Sequence, residues 1–225
     1  MIKCLGSGSK GNGWILDDGK EILVIDCGVP VKDMKIAIGF QISRVVGCAV
    51  SHGHKDHAGY INQYEGCGLQ VYKPYETIED IGYARFGSFF IQSFPLAHDV
   101  PCFGFLVSNP TLGRILYATD TEYIKYRFKN LNYIIVEANY ANDLLDDEVT
   151  DDTKRTHVLR GHMELETTKR FLQQNVDENT RAVVLAHLST ENADPDLFVA
   201  EVESVLSPFS AIAVAKKGMV IRDGS

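Results

Sequence analysis

The chain has 225 residues, 45% of them hydrophobic and 23% charged, a balance that fits a soluble globular protein able to bury a full core. No apolar run is long enough for a transmembrane helix, and Met1-Ile2-Lys3-Cys4-Leu5-Gly6 is too poor in apolar residues for a signal peptide, so the expected location is the cytoplasm. The net charge is −8 and the only tight cationic clusters are Lys125-Tyr126-Arg127, Lys154-Arg155 and Lys216-Lys217, which favours a small substrate over a gripped nucleic-acid backbone.

Short β-like runs dominate the first two thirds. Residues 2–5, 14–16 and 21–26 are apolar and β-branched, with Asp17-Asp18-Gly19-Lys20 as the hairpin turn between the last two. Pro30 stands where a helix can start, and 31–39 reads as that helix. Residues 45–51 form a buried strand that runs directly into a histidine cluster, 58–65 look helical and 69–72 extended. Residues 89–96, 102–108 and 114–119 read as successive strands, with a turn at Asn109-Pro110-Thr111-Leu112-Gly113. Another buried strand follows at 133–138, then an acidic loop or exposed helix end at 143–152. Residues 165–175 make an amphipathic helix, 181–186 a strand and 196–206 a helix, and 211–215 and 219–221 pair as a last hairpin around Lys216-Lys217-Gly218. There is no repeat, low-complexity tract or linker, so the expected organisation is one domain over residues 1–225, two sheets with helices outside. Cys4, Cys27, Cys48, Cys67 and Cys102 are odd in number and contain no C-x-x-C pair, which argues for reduced packing residues rather than disulfides or a thiolate zinc site.

The chemistry gathers in Ser51-His52-Gly53-His54-Lys55-Asp56-His57. Three histidines and an aspartate in six positions, after a strand and before a helix, are imidazole and carboxylate donors of the kind borderline metals such as zinc prefer. His52 and His54, two apart, can point to one side of the loop, leaving Asp56 and His57 for a second ion.

This His-x-His-x-Asp-His run resembles the signature of the metallo-β-lactamase superfamily. Further segments match in the family's order: Ile25-Asp26-Cys27-Gly28, Leu96-Ala97-His98-Asp99, Tyr117-Ala118-Thr119-Asp120-Thr121 and Leu185-Ala186-His187-Leu188. The resemblance implies an αββα sandwich of two mixed β-sheets flanked by helices. It implies two divalent ions per chain, zinc with manganese as the alternative. His52, His54 and His98 would hold one, Asp56, His57 and His187 the other, with Asp120 between them and Asp26 orienting the ligand loop. Asp56 would also serve catalysis. Taken alone, His98 or His187 would more often be a core or loop histidine, and Asp120 a turn residue. True β-lactamases carry a cysteine where this chain has Asp120.

Ile134-Ile135-Val136-Glu137-Ala138-Asn139 and Gly161-His162-Met163-Glu164-Leu165 resemble segments of the tRNase Z phosphodiesterases, with Val136 and Asn139 replacing that family's histidine and threonine. By this resemblance Glu137 orients His162, which acts on the phosphate or the leaving group; a carboxylate raises the pKa of an adjacent imidazole, as a general acid requires. The competing reading is a strand-end glutamate and an N-cap neighbour. His157 matches nothing and reads as a surface residue.

Gly6-Ser7-Gly8-Ser9-Lys10-Gly11 fits G-x-G-x-x-G after a strand, but Asn12-Gly13-Trp14-Ile15-Leu16 and a hairpin follow where a dinucleotide fold needs a helix. The segment resembles the Gly-Ser-x-Gly-Asn loop of phosphodiesterase-like members of the superfamily. Lys10 or Asn12 could meet a substrate phosphate there, or the glycines could simply let two sheets approach. Among relatives, the anti-Pycsar cyclic-nucleotide phosphodiesterases imply a homodimer that opens cyclic mononucleotides to 5′-monophosphates in immune evasion. Acidic charge and compact length favour that group. The YycJ-type DNA exonucleases share its motifs and keep nucleic acid open as a partner. An inactive metal-binding regulator is disfavoured by the intact ligand set, and a thioester or lactone hydrolase by the Glu137–His162 pair.

Overall fold

The computed structural model describes residues 1–77, 80–145, 161–206 and 210–222. Its first sheet takes β1 (Ile2–Gly6), β2 (Gly13–Asp17), β3 (Ile22–Ile25), β4 (Val45–Ala49), β5 (Val71–Tyr72) and β13 (Val220–Ile221), in the order β13-β1-β2-β3-β4-β5. The second takes β6 (Gly82–Phe86), β7 (Phe89–Leu96), β8 (Cys102–Asn109), β9 (Gly113–Ala118), β10 (Tyr133–Glu137), β11 (Ala182–Ala186) and β12 (Ala211–Val214), in the order β12-β11-β10-β9-β8-β7-β6. Both sheets are mixed. In the first, β3, β4 and β5 run parallel; in the second, β9 to β12 do, while β6 to β9 form an antiparallel meander.

Alternation along the strands explains the layers. Trp14 and Leu16 of β2 and Tyr133 and Ile135 of β10 enter a core between the sheets with Phe89, Phe105 and Tyr117. The alternate residues serve outer cores. Ile15 and Val24 pack with Met34 and Tyr64, from α1 (Val31–Ala37) and α3 (Ile61–Glu65). Ile134 and Val183 pack under α4 (Leu165–Asn175) and α5 (Pro195–Val205), which supply Leu172 and Phe198. Both strand faces are covered, so these strands read as continuous apolar runs. The two long helices start on side-chain caps from Glu164 and Asp194. The result is the expected αββα sandwich.

Three local expectations change. Residues 211–221 are not a hairpin: β12 joins β11 in the second sheet and β13 joins β1 in the first. Ile212 and Val214 face the outer core while Ala215, Met219 and Ile221 face the core between the sheets, so the chain crosses the sandwich at Lys216-Lys217-Gly218. The helix at 58–65 is divided into α2 (Lys55–Ala58) and α3, because the Tyr60 N–H leaves the helical ladder for the Cys27 carbonyl at 3.0 Å. Strand β6, absent from the sequence reading, forms a hairpin with β7. The acidic stretch at 143–152 is described only to residue 145, and Lys154, Arg155 and His157 lie outside the described residues. No described helix is long and apolar enough to cross a membrane.

Gly28, just past β3, packs where a Cβ would overlap the Asp56 carbonyl and crowd the Asn12 amide. Both obstacles are backbone and cannot rotate aside. Gly28→Ala is therefore expected to cost about 3 kcal/mol or more, at or above the upper end for an overpacked core, read as a lowered urea midpoint in the metal-free protein.

Candidate metal centre

The predicted ligands converge at the C-terminal ends of strands. The histidine run follows β4, Asp26 follows β3, His98 follows β7, Asp120 follows β9 and His187 follows β11. Asp26, Asp120 and His187 all adopt left-handed backbone, with φ of 60°, 58° and 54°. That conformation is uncommon for residues with a Cβ and clusters at functional sites, where surrounding contacts impose it.

Three groups of donors form among the described residues. His52, His54 and His98 bring ligand atoms within 4.8 Å of one another, and so do Asp56, His57, Asp120 and His187. The third group, Asp120, Glu137, His162 and His187, shares two members with the second. Asp120 stands in the second group; its reach to the first is electrostatic, acting on His52 and His98. The buried atoms fit metal. His52 Nε2, His187 Nε2 and Asp120 Oδ2 have no hydrogen-bond partner although all three are buried, a costly state for polar atoms that an ion relieves. Asp120 Oδ2 also lies 3.0 Å from His57 Nε2. With His57 Nδ1 donating to Asp26 at 2.7 Å, removal of the ring's second proton leaves two acceptors face to face, an arrangement suited to a cation. The ring tautomers follow from their other contacts. His98 Nδ1 donates to the Gly161 carbonyl at 3.0 Å, which turns Nε2 toward His54 Nδ1, 3.3 Å away.

Behind the ligands, Asp26 is buried and receives four hydrogen bonds, from Ser51 N–H, Ser51 Oγ, His57 Nδ1 and the Tyr117 hydroxyl. Ser51 Oγ in turn lies 3.1 Å from His52 Nδ1. Glu137 is equally buried. Its Oε1 accepts from His162 Nδ1 at 2.7 Å and lies 3.2 Å from His187 Nδ1, while Oε2 accepts from Thr121 N–H at 2.9 Å and Met163 N–H at 3.3 Å. The expected pair of Glu137 and His162 therefore meets, and the same carboxylate also braces a candidate ligand. His162 Nδ1 is 4.0 Å from Asp120 Oδ1.

Several side chains here were not singled out from the sequence. Tyr117 reads as a strand aromatic, Cys102 as packing, Ser51 as a motif neighbour; Cys102 Sγ lies 3.6 Å from His52 Nδ1, and Asn139 Nδ2 holds the His187 carbonyl at 2.7 Å. Only the adjacency of Ser51 and Asn139 to the motifs could have flagged them. Asn12 is buried, with its amide committed to Gly8, Asp56 and His57. It therefore supports the ligand loop and is not placed as the substrate contact considered above. Lys10 is exposed on the same loop. All five cysteines are free, and all but Cys67 are buried.

Burial and neighbouring histidines press the His52 pKa down to about 3, and burial likewise lowers His98. In the second group burial opposes charge, but Asp120 and other carboxylates override it, holding His57 well up and His187 at about 10.

A model of the Metallo-beta-lactamase superfamily matches residues 6–64, which span the glycine loop and the histidine run. The chain is 24% identical over 219 residues to exodeoxyribonuclease WalJ of Streptococcus pneumoniae serotype 2 (strain D39), covering 84% of this chain and 81% of that one. It is 24% identical over 233 residues to exodeoxyribonuclease YycJ of Bacillus anthracis, covering 90% and 87%. Among solved structures it is similar to the metallo-β-lactamase fold protein YhfI from Bacillus subtilis, with a TM-score of 0.74 at 19% identity over 97% of both chains. Fold, donor set and these matches define a chain of the metallo-β-lactamase fold that is similar in sequence to that superfamily over residues 6–64 and carries candidate His/Asp metal-binding groups.

Metal uptake must displace the protons held on His57 and His187, whereas His52 and His98 are already neutral at pH 7. Because the second group's pKa values are raised, its affinity should climb as pH rises toward about 10. Zinc titrations in buffers of different ionisation enthalpy should show proton release tied to one of two binding steps; uptake with no proton release at all would contradict this division.

Proposed function

We propose that the protein is a dinuclear metal-dependent phosphodiesterase, and that it opens 3′,5′-cyclic mononucleotides to 5′-monophosphates. The observation that carries the phosphodiesterase reading is the buried Glu137 carboxylate gripping His162 Nδ1 at 2.7 Å beside the candidate metal ligands. Two divalent ions, zinc or manganese, held by His52, His54 and His98 and by Asp56, His57, Asp120 and His187, would supply Lewis acidity toward the phosphoryl oxygens. The remaining work falls to the protein. Burial disfavours a charged His162, yet Glu137 outweighs it and raises the pKa, so the ring holds a proton for delivery. Its Nδ1 stays bound to Glu137, and Nε2 is the atom that would pass a proton to the departing ribose 3′ oxygen. The Thr121 and Met163 amides hold the other oxygen of Glu137.

The choice of a compact substrate is supported by the net charge of −8 and by carboxylates close to the ligands: Asp99 Oδ1 lies 3.0 Å from His98 Nε2. A cyclic mononucleotide brings one negative charge and needs no extended cationic track. The second reading, exonuclease action on DNA, is favoured by what the two curated relatives are called and by how much of each the chain spans.

His162→Ala is expected to keep its zinc content but slow hydrolysis of natural phosphodiesters by roughly 10²–10⁴. A nitrophenyl ester, whose leaving group needs no proton, should lose less; equal loss on both would make His162 structural. To choose between substrates, kcat/KM is measured for cyclic AMP, GMP, CMP and UMP beside short single-stranded DNA at two salt concentrations. Turnover of the cyclic nucleotides is expected. Turnover of DNA alone, falling steeply with salt, would establish the exonuclease reading instead.

A further inference from the structure

The glycine loop is not explained by the chemistry above, yet it touches the candidate metal centre from two sides. At one end Ser7 Oγ accepts the His187 N–H at 2.9 Å, a contact between residues 180 apart in sequence. At the other end Asn12 is fully buried. Its backbone N–H donates to the Asp56 carbonyl at 2.7 Å, and its carbonyl accepts from Gly28 N–H at 2.9 Å. The side-chain oxygen takes the Gly8 N–H at 2.8 Å. That leaves the Nδ2 group, with two protons, facing the Gly8 carbonyl at 3.2 Å, Asp56 Oδ2 at 3.2 Å and His57 Nε2 at 2.7 Å.

With His57 Nε2 deprotonated, as ion binding requires, Nδ2 has more acceptors than protons, and two of them are donor atoms of the second candidate metal group. If an ion engages the His57 Nε2 lone pair, the proton aimed there has Asp56 Oδ2 as its alternative. Asn12 can thus satisfy either arrangement without leaving its place. The loop that carries it is rigid for a local reason. Gly8 and Gly11 sit at φ of 113° and 138°, closed by a Gly11 N–H to Gly8 carbonyl bond of 2.9 Å. Side chains on L-residues rarely allow such angles.

We propose that loop 6–13 is a positioning clamp for the second metal ion, in which Asn12 sets the Asp56 carboxylate and the His57 ring while Ser7 sets the backbone that presents His187. The two attachments matter because the ligands come from different sheets: Asp56 and His57 follow β4 of the first, and His187 follows β11 of the second. Asn12 and Ser7 are positioning residues, since neither is among the donor groups. Among the described residues no hydrogen bond joins this loop to His52, His54 or His98, so the effect is selective. The proposal rests on the two-ion reading of the site.

The test is calorimetric titration of metal-stripped protein with zinc, together with thermal melts of the same samples without metal. The unsubstituted chain should bind two ions in distinguishable steps. Asn12→Ala and Ser7→Ala should each leave one step unchanged and weaken the other about 10-fold to 100-fold, the usual effect of removing a support behind a ligand. Should Asn12→Ala fail to fold, Ser7→Ala carries the test, because Ser7 is only partly buried. Two steps in the parent that weaken together in the variants, in proportion to a lowered metal-free melting temperature, would show a purely structural loop and overturn the proposal. Two steps that do not move at all would overturn it as well. Fewer than two ions in the unsubstituted protein would overturn the two-ion reading, and this proposal with it.

Discussion

The buried Asp26 carboxylate is the interaction on which the site depends. A charge with no exposure to water needs compensation from fixed donors, and Asp26 draws its four from both sheets: Ser51 follows β4 of the first, and Tyr117 lies in β9 of the second. Each hydrogen bond to such a charge is worth about 1.5–3 kcal/mol, so separating the sheets locally would strand the carboxylate. The same contacts orient His57 directly, and His52 through Ser51. Holding the sandwich closed and aiming the ligands are one act.

Charge is divided between the donor groups. His52 and His98, buried among other histidines, are kept neutral, while His57 and His187 lie against Asp120 and gain protons. Protonation is therefore favoured on the side where the carboxylates gather. Glu137 extends this pattern by serving both His187 and His162. A single buried carboxylate couples the orientation of a candidate ligand to that of His162.

Backbone conformation supplies the geometry that strands alone lack. A strand ending in extended backbone would carry its next side chain past the site. At Asp26, Asp120 and His187 the left-handed turn redirects it inward. Such residues cost on the order of 1–3 kcal/mol each, offset at Asp26 by its N–H to the Ala49 carbonyl and at His187 by its N–H to Ser7 Oγ and by Asn139 Nδ2 donating to its carbonyl.

The sequence by itself determined what is local. Continuous apolar runs mark most strands, a compressed set of imidazole and carboxylate donors marks the candidate ligand loop, and the order of further motifs marks His98, Asp120, Glu137, His162 and His187. Only the tertiary structure decided which distant groups meet. Tyr117 is indistinguishable in sequence from other core aromatics, because its hydroxyl matters only when Asp26, 91 residues away, lies opposite. Asn12 looked available to a ligand because a glycine-rich loop reads as open, whereas its amide is consumed by Asp56 and His57. Residues 211–221 looked like a hairpin because two short apolar runs flank a turn. They divide between sheets because β1 and β11 each present an unpaired edge, and backbone hydrogen bonding at an edge is a property of the assembled sheet that no local pattern encodes.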